Sequence, residues 1–411
     1  MIPIALRQRV ELIDVLRGFA LSGVMLANLP LFSGDVYLTP EQQQAFPTAN
    51  LDTWVRAFLQ LFVESKFIGL FSLLFGLGFS VQLSRALARG TSFRSFFLRR
   101  VGWLFVIGAV HGWLFWNWDI LRFYALWGMF LPLFIRSRSR TILLWGIIAA
   151  VVVPTIWGHL LAVWPWPGIF SVVDPALNAR ALQAFSSGNY LEMLRANWEY
   201  DWRITASPTQ GAYQIAVFGR FLLGLWVGRM LLLQNPAAHS TFFRRCLWAG
   251  LAFGLIGNVL FAASSEVAPK GIPAWMPALD FPDQLGFLGL TMFYVSVIVL
   301  LYQIPQWRER LGILAPFGRM ALTNYLSQTA AGLFLFYGFL PGPHLMGKIG
   351  PTFLILIWAL FLPAQIALSS MWLRHYRFGP AEWLWRSLTY GRMQPMRIRM
   401  RAEPHSLPSP E

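Results

Sequence analysis

Ten apolar runs, separated by hydrophilic segments that alternate in charge, constrain this chain more than any other feature. The runs cover approximately 12–32, 66–84, 97–115, 119–135, 141–163, 213–233, 243–263, 285–303, 315–340 and 352–373. Each is close to the length of about 20 residues that crosses the hydrocarbon of a bilayer as a helix. Arginines follow the even-numbered runs. They are Arg85, Arg89, Arg94, Arg99 and Arg100, then Arg136, Arg138 and Arg140, then Arg244 and Arg245, then Arg308 and Arg310, and last a tail from Arg374 onward. The odd-numbered runs are followed by Asp35, Glu41 and Asp52, by Asn117 and Asp119, by a mixed segment 164–212, and by Glu266, Asp280 and Asp283. Basic loops stay on the cytoplasmic side. The expected fold is therefore all-α, a polytopic membrane helical bundle of about ten transmembrane helices with both termini in the cytoplasm.

Composition agrees. Hydrophobic residues make up 56% and charged residues 12% of the 411, against about 25% charged in soluble domains. The net charge of +15 invites a nucleic-acid partner, but the arginines fall in short clusters between apolar runs, so no nucleic acid is expected. Cys246 is the only cysteine, which excludes an intrachain disulfide and a Cys-based metal site. The six histidines show no His-Glu-x-x-His spacing, and no metal is expected. The first run is long and has no small-residue cleavage site after it, so it is expected to remain as a span. Residues 1–391 read as one integral-membrane domain, and 163–212 as an outer-face loop with an amphipathic helix over 176–199. Residues 51–64 read as a short interfacial helix, and 392–411 as a basic disordered tail. Small-residue faces such as Gly69, Gly76 and Gly78 suit intrachain packing and a homodimer equally.

Two polar clusters stand out from this apolar background. At the cytoplasmic end, Asp14 and Arg17 open the first span three residues apart, on one helix face. Gly318-Arg319 and Asn324 with Gln328 open the ninth, and Glu382 and Arg386 follow the tenth. An interfacial ion pair and hydrogen-bonding glue between helices are the structural alternatives to a binding role. At the outer end, Lys66 opens the second span. A tight turn between the third and fourth spans brings His111 toward Asp119, and Asn28 lies toward the same end. A carboxylate beside an imidazole fixes its tautomer and raises its basicity, as a general base requires. An interface hydrogen bond is the alternative.

Together these segments resemble the YeiB family of bacterial integral-membrane proteins. The resemblance rests on Asp14-Val15-Leu16-Arg17-Gly18-Phe19-Ala20 with Asn28, and on Lys66-Phe67 with Phe71-Ser72-Leu73-Leu74-Phe75-Gly76. It continues through Arg99-Arg100, His111 with Asp119-Ile120-Leu121, Gly318-Arg319 with Thr323-Asn324-Tyr325, and Gly379-Pro380-Ala381-Glu382-Trp383-Leu384-Trp385-Arg386. The opening segment is also distantly similar to the acyltransferase-3 proteins and the heparan-α-glucosaminide N-acetyltransferases. In the first of these groups a catalytic His lies eleven residues after the Arg; here that place is Asn28, as in the second group.

The resemblance implies a bacterial inner-membrane enzyme that moves an acyl group, acetyl above all, from cytosolic acyl-coenzyme A to an acceptor on the outer side. An envelope glycan or another small molecule would be that acceptor. In this reading Asp14, Arg17, Arg99, Arg100, Arg319 and Asn324 bind the donor. His111 is the base, oriented by Asp119, with Lys66 or Asn28 near the oxyanion. Other readings are a transporter or flippase, because buried charges also mark substrate pathways, and a non-catalytic scaffold. A passage joining Arg17 to His111 is the feature that would favour the enzyme.

Overall fold

The computed structural model describes residues 11–163, 175–267 and 280–398. Every apolar run is helical within them. The order is α1 (Glu11–Ser33), α2 (Pro40–Gln44), α3 (Ala49–Phe62), α4 (Lys66–Ala88), α5 (Arg94–Leu114), α6 (Leu121–Gly128), α7 (Ser139–Ile147), α8 (Val153–Val163), α9 (Pro175–Ser186), α10 (Tyr190–Ala206), α11 (Pro208–Arg229), α12 (Ser240–Val267), α13 (Asp280–Tyr302), α14 (Pro305–Gly312), α15 (Leu314–Arg319), α16 (Ala321–Phe336), α17 (Pro351–His375) and α18 (Pro380–Tyr390). Among the described residues, six segments are long and apolar enough to cross a membrane: Glu11–Ser33, Ala49–Ala88, Ser139–Trp157, Thr209–Arg229, Gln284–Tyr302 and Pro351–His375. The chain is a helical membrane bundle. Its periphery carries exposed apolar side chains, such as Leu360, Leu368 and Trp248, which suit lipid contact.

α1 is the axis of the bundle. It packs against α4, α15, α16 and α17, and most of its residues are buried. Its contact with α15 explains two sequence motifs at once. A Cβ on Gly18 would collide with the Leu314 carbonyl, and one on Gly318 with the Asp14 carbonyl. The two backbones approach this closely only because both residues are glycine. Arg17 and Arg319, each next to one of these glycines, are thereby fixed at the same end of the bundle.

Helix ends are tied across the fold. Glu382 of α18 accepts hydrogen bonds from the Leu322 and Thr323 amides at the start of α16, at 2.6 and 3.2 Å, and from the Thr323 hydroxyl. In return the Thr323 hydroxyl accepts from the Ala381 amide of α18 at 3.0 Å. Fully buried Asp52 of α3 caps α17 in the same way, through the Thr352 amide at 2.8 Å. Such carboxylates satisfy amides that a helix start leaves without partners.

The segment expected on the outer face forms two helices, α9 and α10, broken at Asn189, which caps α10 through Leu191 and Glu192. Residues 164–174 of that segment lie outside the described residues, as do 399–411 of the tail. The expected tail disorder does not hold from residue 392. An antiparallel bridge joins Tyr376 and Arg397, with Arg377 donating to Met396 and Ile398 to His375.

Candidate functional site

A single cavity of about 690 Å³ runs along α1 and connects the two polar clusters. Asp14 and Arg17 border it near the start of the helix, and Asn28 borders it near the other end. Fourteen residues of helix separate Asp14 from Asn28, roughly 21 Å of rise.

The basic end collects six arginines, Arg17, Arg85, Arg89, Arg100, Arg319 and Arg386, around two carboxylates, Asp14 and Glu382. Asp14 is 2% exposed and accepts from Arg17 Nη1 at 2.9 Å. The Arg100 guanidinium lies 3.6 Å from the Trp385 ring centroid, and Trp385 Nε1 donates to the Arg100 carbonyl at 2.8 Å. This double contact seats α18 on α5. Burial pushes the Glu382 carboxyl above the usual carboxylate range, while its bonds to Leu322 and Thr323 pull it back.

At the opposite end, His111 Nδ1 lies 2.8 Å from Asp119 Oδ1. The second carboxylate oxygen accepts from the Arg122 amide at 3.0 Å. His111 Nε2 lies 2.9 Å from the Thr329 hydroxyl of α16. The imidazole is therefore held from both sides, and it is Asp119, not His111, that borders the cavity. α10 clamps the hairpin from outside. Asn197 accepts from the Asn117 amide at 2.7 Å and donates to the Gly112 carbonyl at 2.9 Å. Buried Arg122 pairs with Asp201, one of its bonds measuring 2.8 Å.

The sequence-predicted residues divide accordingly. Asp14, Arg17, Arg100, Arg319, Asn28 and Asp119 share the cavity, with His111 directly behind Asp119. Arg99 is exposed and does not border it. Asn324 is absent from its wall. The Asn324 side chain donates to the Phe317 carbonyl at 3.1 Å and the Ser369 hydroxyl at 2.9 Å, and Gln328 donates to Gln365 at 2.9 Å. These amides join α16 to α17. Lys66 is fully buried away from the cavity. Its ammonium donates to the Gln60 carbonyl and lies 4.9 Å from the Phe287 ring.

Sequence reasoning did not find Thr329, which meets His111 from 218 positions away. Nor did it give Arg85 and Arg89 a place at the site, because a loop arginine facing a cavity reads like any other basic-loop charge.

Residues 227–392 match a family described as "Protein of unknown function (DUF418)". The chain is 31% identical over 420 residues to the uncharacterized protein YxaH of Bacillus subtilis (strain 168), covering 96% of this chain and 97% of that protein. It is 32% identical over 404 residues to an uncharacterized 39.9 kDa protein in the amylase 3' region of Bacillus acidopullulyticus, covering 98% and 99%. The uncharacterized protein YeiB of Escherichia coli (strain K12) is 29% identical over 398 residues, covering 92% and 95%. With similarity running through nearly the whole length of each relative, and the apolar spans and polar motifs in the same chain, this protein belongs to the DUF418/YeiB family of membrane proteins.

Proposed function

We propose that this protein is an acyltransferase of the bacterial inner membrane. It takes an acyl group, acetyl above all, from acyl-coenzyme A at the basic end and transfers it to an acceptor at the opposite end, such as an envelope glycan or a sugar. One observation carries this reading: a continuous cavity has six arginines at one end and a His-supported carboxylate at the other.

The chemistry follows from the ends. Coenzyme A carries its phosphates far from its thioester, as an elongated cavity with cations at one end requires. Guanidinium groups form strong charge-assisted bonds to phosphate. Arg17, Arg100 and Arg319 retain the donor role expected of them, joined by Arg85, Arg89 and Arg386. At the other end an acceptor hydroxyl attacks the thioester carbonyl carbon. Its proton passes to the His111–Asp119 pair through the carboxylate that borders the cavity. The C–S bond breaks, the pair returns the proton to the leaving thiolate, and an ester and free coenzyme A result. The Asn28 carboxamide lines the same end and can donate to the developing oxyanion.

The test is acyl transfer by the purified full chain with radiolabelled acetyl-coenzyme A. The expected result is binding of the donor by the wild type, and loss of label transfer in His111→Ala with the donor still bound. Full transfer by His111→Ala would sink the assignment of the base. A transporter shares the requirement for a cavity; gradient-driven flux in vesicles without acyl chemistry would favour that reading instead.

A further inference from the structure

The end of the cavity beside Asp119 holds more hydrogen-bonding capacity than the protein uses. Asn117 is 1% exposed, and neither its carboxamide nitrogen nor its oxygen makes a hydrogen bond. The Tyr37 hydroxyl, which accepts from Trp118 Nε1 at 3.0 Å, lies beside it. The Gln214 carboxamide oxygen, on a residue 6% exposed, is unpartnered in the same way, and the Tyr325 hydroxyl, 5% exposed, has only the Ile120 amide near it. All three border the cavity, as does Asn28. They come from four elements, α1, the α5–α6 hairpin, α11 and α16. Buried polar groups are normally satisfied, so several left open on one wall point to a ligand that completes them.

The chemistry of the open groups indicates its class. A carboxamide both donates and accepts, and so does a phenol. That mixture matches hydroxyls, which do the same. Two of the charged pairs at this end are closed, His111 with Asp119 and Arg122 with Asp201, and buried Arg220 stands behind Tyr124 and Tyr213, off the cavity wall. Glu64, the other acid on this wall, has Lys66 as its charge neighbour. The arginines on the cavity wall all belong to the basic end, so an anionic ligand meets no cation on the wall here. We propose that this end seats an uncharged, hydroxyl-rich acceptor of the size of a sugar ring, held by Asn117, Gln214 and Tyr325 with a hydroxyl toward Asp119. The acyl group then goes to oxygen rather than nitrogen. The assignment rests on the acyl-acceptor reading of this end.

The test is calorimetric titration of the detergent-purified full chain with glucose, galactose and mannose as uncharged probes, and with glucuronate and glucosamine as charged ones. At least one uncharged sugar is expected to bind, at least about tenfold tighter than glucuronate or glucosamine. Asn117→Leu is expected to weaken that binding about tenfold, the effect of losing one or two hydrogen bonds. Its thermal midpoint should stay the same or rise, because the side chain makes no bond in the protein. A lowered midpoint would assign Asn117 a structural partner and overturn the proposal. So would preference for a charged sugar, unchanged binding in Asn117→Leu, or no binding of the uncharged probes. The two readings fail separately. Sugar binding with no transfer of label from acetyl-coenzyme A removes the acyltransferase, and transfer to an amine or an acid removes the hydroxyl-rich acceptor.

Discussion

Thr329 stands at the far side of the His111 ring and is 2% exposed. Replacing it with valine keeps the shape and removes the hydroxyl, leaving a buried ring nitrogen without its partner. Such a loss costs about 1–3 kcal/mol. Thr329→Val should therefore lower the thermal midpoint in detergent, while Thr329→Ser should restore it. At the basic end, Arg319→Ala removes one of the guanidinium groups proposed to hold the donor phosphates. Donor affinity should fall about 10- to 100-fold, as read by titration with acetyl-coenzyme A. Legibility at this scale followed distance along the chain. Asp14 with Arg17, and His111 with Asp119, were readable because a helix turn and a hairpin dictate their meeting. Thr329 was not, because only the tertiary fold brings α16 within side-chain reach of His111. Asn324 was misread as a donor contact because an amide at a helix–helix seam and an amide at a ligand look alike in sequence.

α16 and α18 cap one another's starts through Glu382 and Thr323. Glu382→Ala removes the acceptor for two amides and should cost about 0.5–2 kcal/mol, seen as a lower midpoint. Its carboxyl is raised by burial, which gives the pH dependence a sign. A carboxyl raised in the folded state adds stability that is complete below its unfolded value and is lost as pH rises through its folded value. Glu382→Gln, which keeps an acceptor oxygen without the charge, should flatten the stability profile over that window. The apolar runs were legible as helices throughout, because a membrane span is written in length and hydropathy. Their interruptions were not. The run expected over 315–340 is two helices, α15 and α16, with the break at Met320. The cause is tertiary: Gly318 is wedged against α1, and Glu382 fixes where the next helix begins.

Taken whole, the bundle is an elongated cavity walled by α1 with opposite chemistry at its ends. A donor held by arginine–phosphate contacts should bind more weakly as ionic strength rises, because salt screens those charges. An uncharged sugar at the other end should not respond. Titrating both ligands at low and high salt checks the contrast on a single preparation. The division between a basic and a polar end was legible in the loop charges, and the continuity of the space between them was not, since it depends on which side chains fail to fill the core. The seating of α18 on α5 and α16 has a consequence for biosynthesis. Glu382, Trp385 and Arg386 all border the cavity and are translated after every apolar span, while chains fold from the N-terminus during synthesis. The nascent protein can insert most of its spans and still lack one wall of its basic end. A premature stop before Pro380 should yield a membrane-inserted, long-lived product that cannot retain the donor.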